Sequence, residues 1–248
     1  MMKIREINAK SILSVSQVSD YALNPYVGCQ HACVYCYAKF MKRFTGHREQ
    51  WGEFVDVKIN APELLAREVM KKKVGRVWVS GVCDPYQPLE RKYRITRRCL
   101  AVLVENNWPV MVQTKSPLVL RDIELLKRAA DIEVGFSITT ADEGLRKIFE
   151  PGAPATAKRV EVLEKLHTAG IRTFAMIAPI LPGADGLPDM LKGKVGHVLV
   201  DRLNYHYADA IYQKYGMQWA RENGFFRSKG EELRKAFEES GIPCQVLF

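Results

Sequence analysis

Gly28-Cys29-Gln30-His31-Ala32-Cys33-Val34-Tyr35-Cys36 holds three of the chain's six cysteines in one short stretch, spaced C-x3-C-x2-C. The other three, Cys83, Cys99 and Cys244, are widely separated. A closed structural zinc site or iron–sulfur site ordinarily takes four protein ligands. Three thiolates on a four-iron cluster leave one iron able to bind something else. On residues alone two other readings stay open: a zinc site completed by His31 or His47, and a redox dithiol at Cys33-Val34-Tyr35-Cys36. The dithiol reading lacks the βαβ setting in which such pairs usually stand.

Outward from this stretch, short β-rich runs alternate with longer amphipathic ones. Strands are expected at Tyr21 to Val27, Val74 to Ser80, Val110 to Gln113, Ile132 to Ile138, Thr173 to Ile177 and Val195 to Val200. Helices are expected at Ala61 to Met70, Thr96 to Glu105, Asp122 to Ala130, Ala157 to Ala169, Tyr207 to Asn223 and Lys229 to Ser240. Asn60 reads as an N-cap, Pro62 as a first-turn proline and Gly170 as a C-terminal glycine. Strands alternating with helices imply parallel βαβ units, and six of them make a partial barrel. The expectation is an α/β chain, a partial (β/α)6 TIM-type barrel. It is read as one domain over residues 1–248, with a core at about 20–205 and helical cover at about 206–248. In such folds functional groups gather at the C-terminal ends of strands, and the cysteine stretch follows the first strand.

The cysteine spacing, with Tyr35 just before the last thiol, resembles the cluster loop of the radical S-adenosylmethionine (SAM) superfamily, whose core has the (β/α)6 form. The resemblance implies that Cys29, Cys33 and Cys36 ligate a 4Fe-4S cluster and that SAM chelates the fourth iron. Reductive cleavage of SAM would release methionine and a 5′-deoxyadenosyl radical that takes hydrogen from a substrate. Tyr35 would lie near the adenine. The resemblance also implies an electron donor of the flavodoxin or ferredoxin kind.

The strand ends carry further motifs. Ser80-Gly81-Val82-Cys83-Asp84-Pro85-Tyr86-Gln87 is a turn stiffened by Gly and Pro. It resembles the branch related to spore photoproduct lyase, which implies backbone contacts from Ser80 and Gly81 to the methionine part of SAM. Asp84 either orients SAM or caps the turn through its own backbone. Cys83 is a candidate hydrogen-atom donor, as the lyase has a cysteine in this region; a small buried thiol is the plainer reading. Lys115, in Thr114-Lys115-Ser116-Pro117, matches the branch's lysine for the SAM carboxylate, and Ser137 the superfamily's polar residue facing the ribose. Ala178 to Gly183 suits an adenine wall. Arg146, Glu150 and Arg159 fall in a segment like the branch's R-x3-E-P-x-A-P, where Arg146 and Glu150 are spaced for a helical ion pair and Arg159 could pair with Glu150 or with an anion in the site.

The formal net charge of +9 points to an anionic partner, nucleic acid included, although the charge is scattered. No apolar run approaches the ~20 residues of a membrane span, and the start carries no signal core, so a cytoplasmic protein without membrane contact is expected. The six cysteines suit a thiolate-bound metal centre in a reducing compartment better than a disulfide scaffold. The functional expectation is SAM cleavage and hydrogen abstraction from a substrate, extending to a photoproduct-lyase-like reaction on nucleic acid. The alternative is a metal-stabilised nucleic-acid-binding module without SAM chemistry.

Overall fold

The structure, a computed structural model, describes residues 2–248. The chain divides into two compact units. The first runs to Ala32 and resumes over Ala38–Val134; the second comprises Cys33–Tyr37 and Gly135–Phe248.

The first unit contains β1 (Lys3–Ile7), β2 (Leu13–Val15), β3 (Tyr21–Leu23), β4 (Tyr26–Val27), β5 (Phe54–Lys58), β6 (Val77–Val79) and β7 (Val110–Thr114). β3, β6 and β7 are joined by parallel pairing, with β2 antiparallel on β3. A separate small sheet places β5 between β1, which runs parallel to it, and β4, which runs antiparallel. The expected first strand, Tyr21 to Val27, is thus two strands. Pro25 has no N–H to give a ladder, and the chain leaves the first sheet at Asn24-Pro25 and joins the second at Tyr26.

The α-helices among this unit's described residues are α1 (Ala61–Val69), α2 (Glu90–Tyr93), α3 (Ile95–Glu105) and α4 (Ile123–Lys127). α3 buries Ile95, Cys99, Leu100 and Leu103, the apolar stripe of an amphipathic helix. Asn60 precedes α1, as expected, but its side chain does not cap it. The amide instead exchanges two hydrogen bonds with the Ala9 backbone, at 2.8 and 2.9 Å.

Strand β8 (Ile132–Ser137) begins in the first unit and ends in the second. The second unit continues with α5 (Glu143–Phe149), α6 (Thr156–Thr168), β9 (Arg172–Ile177), α7 (Leu187–Leu191), β10 (His197–Val200), α8 (Asp209–Lys214), α9 (Asn223–Glu239) and β11 (Cys244–Val246). β9, β10 and β11 pair in parallel. Within β8, Gly135 leaves room for the Phe174 ring, which a Cβ there would meet at 2.0 Å. Gly170 follows α6 at φ +80°, the left-handed conformation of a C-terminal glycine. The expected helix from Tyr207 to Asn223 is broken: α8 ends before Gly216 (φ +66°), and only a 3-10 turn at Gln218–Arg221 follows. Among the described residues no helix is long and apolar enough to cross a membrane.

Candidate active site

In the first unit the turn after β6 is built around Asn24. Its side-chain oxygen accepts from Ser80 Oγ at 2.7 Å and from the backbone N–H groups of Gly81 and Val82 at 2.9 Å each. This shapes the loop that carries Cys83, whose sulfur lies 2.9 Å from Ser80 Oγ. Burial pushes the Cys83 thiol up to about 11, although the Ser80 hydroxyl, the Tyr26 N–H and the Lys58 charge pull the other way. The side chain is half-buried and holds its proton at neutral pH.

Asp84 is enclosed by partners. Oδ1 accepts from the Tyr86 N–H at 2.8 Å and from Thr114 Oγ1 at 2.7 Å. Oδ2 accepts from the Lys115 N–H at 2.7 Å and lies 3.2 Å from His31 Nε2. Burial alone would raise its pKa, but His31 and these donors outweigh burial and bring it to about 2. Asp84 caps its own turn and also ties it to the end of β7 and to the cysteine stretch.

Gln87, fully buried, adds a second tie: its Nε2 donates to the Gly28 carbonyl at 3.2 Å and its Oε1 accepts from the Gln30 N–H at 3.0 Å. Gly28 has φ +89°, and a Cβ there would meet the Phe54 carbonyl at 2.3 Å. Neither Asn24 nor Gln87 stands out in the sequence. Their roles come from partners more than fifty residues away. Lys115 is half-buried at the end of β7, with its backbone N–H taken by Asp84.

The second unit assembles a different cluster. Tyr35 is buried and its hydroxyl donates to Glu150 Oε1. Glu150 also accepts from Thr139 Oγ1 at 3.2 Å and pairs with Arg159 Nη2 at 2.5 Å, with both partners of the ion pair fully buried. Arg159 further donates to the carbonyls of Pro154 (2.8 Å) and Ser137 (3.1 Å). Burial beside Glu150 holds the Tyr35 phenol well above its ordinary pKa, hence neutral. Arg146 departs from the expected pairing. Its side chain reaches the Glu143 carboxylate at 3.0 Å and the carbonyls of Glu150 and Ala153, not the Glu150 carboxylate.

Ser137 is buried at the end of β8. Ile180 and Leu181, in the expected adenine wall, are fully buried. After β10, Tyr205 (46% exposed) and Tyr207 (43%) stack at 5.9 Å and 12°. Tyr37, next to Cys36, stacks on Tyr205 at 6.1 Å.

None of the six cysteines is held in a disulfide, with Cys29 and Cys33 buried and Cys36 half-buried. The histidines that could complete a zinc site are engaged: His47 holds Asp56 at 2.9 Å and Glu49 at 3.0 Å through its two ring nitrogens, and His31 Nε2 faces Asp84. A family model described as the radical SAM superfamily matches residues 23–186. The chain belongs to the radical SAM superfamily.

Among its relatives, an uncharacterized protein of Methanocaldococcus jannaschii is 37% identical over 183 residues, covering 73% of this chain and 69% of that protein. A radical SAM Nα-GlyT isomerase of Pseudomonas phage M6 is 26% identical over 161 residues, covering 64% of this chain and 33% of the isomerase. Other curated relatives are matched over 58% and 50% of their length. A structure of spore photoproduct lyase complexed with dinucleoside spore photoproduct superposes with a TM-score of 0.74 at 14% identity, covering 99% of this chain and 82% of the lyase. That likeness shows the fold, and the expected partial parallel α/β barrel is compatible with it.

Membership in the radical SAM superfamily implies a 4Fe-4S cluster and SAM. Among the described residues no set of three His, Cys, Asp or Glu side chains is drawn together to hold a metal. The fit therefore rests on donor chemistry: three thiols in one short stretch, no disulfide competing for them, and neighbouring histidines set against carboxylates. Such a donor set suits a cluster with one open iron better than a closed zinc site.

Proposed function

We propose that this radical SAM chain cleaves SAM reductively, takes hydrogen from a nucleic-acid substrate and uses Cys83 to return a hydrogen atom. The observation that carries the reading is the place of Cys83, its sulfur 2.9 Å from Ser80 Oγ. It stands in the turn after β6, beside Ser80, with its pKa pushed up to about 11, so the S–H bond is intact at neutral pH. A thiolate would have no hydrogen to give. Cys29, Cys33 and Cys36 would hold the cluster, which with SAM would supply one-electron cleavage of the sulfonium.

The remaining roles fall to the chain's own residues. At Cys83 the S–H bond breaks, a substrate C–H bond forms, and the sulfur keeps an unpaired electron. One electron from a flavodoxin- or ferredoxin-like donor and one proton from water restore the thiol. Lys115 and Ser137, at the ends of β7 and β8, are assigned to the SAM carboxylate and ribose. Asn24 occupies the Gly81 N–H, so the contact of Ser80 and Gly81 with the SAM ammonium group falls to backbone carbonyls. Asp84 and Tyr35, whose polar atoms are bonded within the protein, position the segments they join.

Three things favour nucleic acid as the substrate. The stacked row of Tyr37, Tyr205 and Tyr207 offers flat rings of the kind on which bases stack. The chain is basic. The lyase that shares its fold binds a dinucleoside photoproduct.

The test is anaerobic reconstitution with SAM and a strong reductant, assaying 5′-deoxyadenosine. Cys36→Ala should lose both the cluster and the product. Cys83→Ala should keep SAM cleavage and change what the substrate radical becomes. Bound zinc without iron would sink the reading, and an unchanged product distribution in Cys83→Ala would remove the hydrogen-return role.

A further inference from the structure

In the second unit a surface cleft of about 330 Å³ opens between the loop after β10 and the start of α9. Its apolar part is Leu203 and Phe226, both buried. The rest of the lining is polar: Arg202, Asn204, His206, Arg221 and Asn223. Among the described residues no carboxylate lines it.

The two arginines are held in different ways. Arg202 donates through Nε to Asn204 Oδ1 at 3.2 Å and through Nη1 to Asn223 Oδ1 at 3.5 Å. Both acceptors are neutral amides, so they orient the guanidinium without matching its charge. The adjacent acid, Asp201, serves other donors: Oδ1 accepts from the Arg202 backbone N–H at 2.7 Å and Oδ2 from the Asn204 amide at 3.1 Å. Arg221 pairs through Nε with Asp209 at 2.7 Å, and its Nη2 meets His206 Nδ1 at 3.0 Å. Asp209, which also meets His206, stands outside the lining. A guanidinium has five N–H donors, so each arginine keeps some for a ligand.

Two guanidinium groups in a cleft without a carboxylate suit an anion with several oxygens, phosphate above all. The same loop carries Tyr205 and Tyr207, interleaved with Asn204 and His206, and their rings stack at 5.9 Å. A single strand of nucleic acid is held by this combination, cations along its backbone and flat rings under its bases. We propose that the cleft binds one phosphodiester of a single-stranded nucleic acid, with Arg202 as its principal contact, beside bases that reach Tyr205 and Tyr207. The proposal rests on the reading of the substrate as nucleic acid.

The experiment titrates a fluorescent oligothymidylate strand with the reconstituted protein at several salt concentrations and reads anisotropy. Arg202→Gln should weaken binding and make the slope of log K against log salt shallower by about 0.7, the loss of one phosphate contact. Lys235→Gln removes the same charge from an exposed position of α9 and should leave the slope as it was. A strand with neutral methylphosphonate linkages should bind the unaltered chain and Arg202→Gln alike. An unchanged slope in Arg202→Gln, an equal loss in Lys235→Gln, or a difference that persists on the neutral strand overturns the proposal and leaves the nucleic-acid reading standing. No binding by the unaltered chain overturns both.

Discussion

Asp84 and Glu150 are both buried acids, yet they do different work. Asp84 joins three segments through neutral donors and His31, and its pKa lies near 2, against ~3.9 for an unfolded aspartate. Its folded pKa is depressed, so the stability it contributes is present above about pH 4 and disappears as pH falls towards about 2. In the cluster-free chain, Asp84→Asn should flatten the loss of stability over that window in urea titrations. An unchanged acid slope would show that Asp84 is not among the groups that set it. Glu150 instead neutralises a buried guanidinium. Glu150→Gln leaves Arg159 charged and unpaired and should destabilise the chain by about 3 kcal/mol. Adding Arg159→Met should recover much of that, and a double variant no better than the single one would refute the account.

At the level of elements, the cysteine stretch is aimed by its entry from β4. Gly28 sits at φ +89° with the Phe54 carbonyl where a Cβ would go, whereas Gly46, at φ +69°, has open space around it. Both substitutions to alanine carry backbone strain of ~1–2 kcal/mol, but Gly28→Ala must also displace the loop or β5. Iron bound per chain after reconstitution should fall in Gly28→Ala and stay near normal in Gly46→Ala. Equal iron in the two would mean that the close approach to Phe54 does not fix the loop.

The same elements show what the sequence could reveal. Five of the six expected strands form as single strands, because their apolar runs are bounded by helices and turns, while the first is split at Pro25. β5 was not expected: Phe54-Val55-Asp56-Val57-Lys58 carries two charges, and only Arg5 and His47, from elsewhere in the chain, make a buried Asp56 tolerable. β1 and β11 take their strand character from partners distant in sequence, and β2, three residues long, from its neighbour β3. The cysteine motif was legible because its spacing is local. Asn24 and Gln87 were not, because each acquires its meaning from residues that only folding brings near.

For the molecule as a whole, the implied ligands should act on stability by mass action. If SAM binds only the folded, cluster-loaded chain, a concentration one hundred times its Kd adds about 2.7 kcal/mol. The rise in Tm should vanish in Cys29→Ala, which lacks one of the three thiols. A SAM-dependent rise surviving in that variant would place SAM binding independent of the cluster. The net charge of +9 belongs to this scale too, since it is dispersed over the chain and bears on encounter with anions more than on any one contact.

Asn24 holds the Cys83 turn with a single amide oxygen, and the residue after it is proline. Asparagine commonly ages to aspartate when the next residue's backbone nitrogen attacks the side-chain amide and expels ammonia. The Pro25 nitrogen carries no hydrogen and cannot close that ring productively. The residue on which the turn depends is thereby protected from the usual route of chemical ageing, and the turn should keep its shape as the protein grows old.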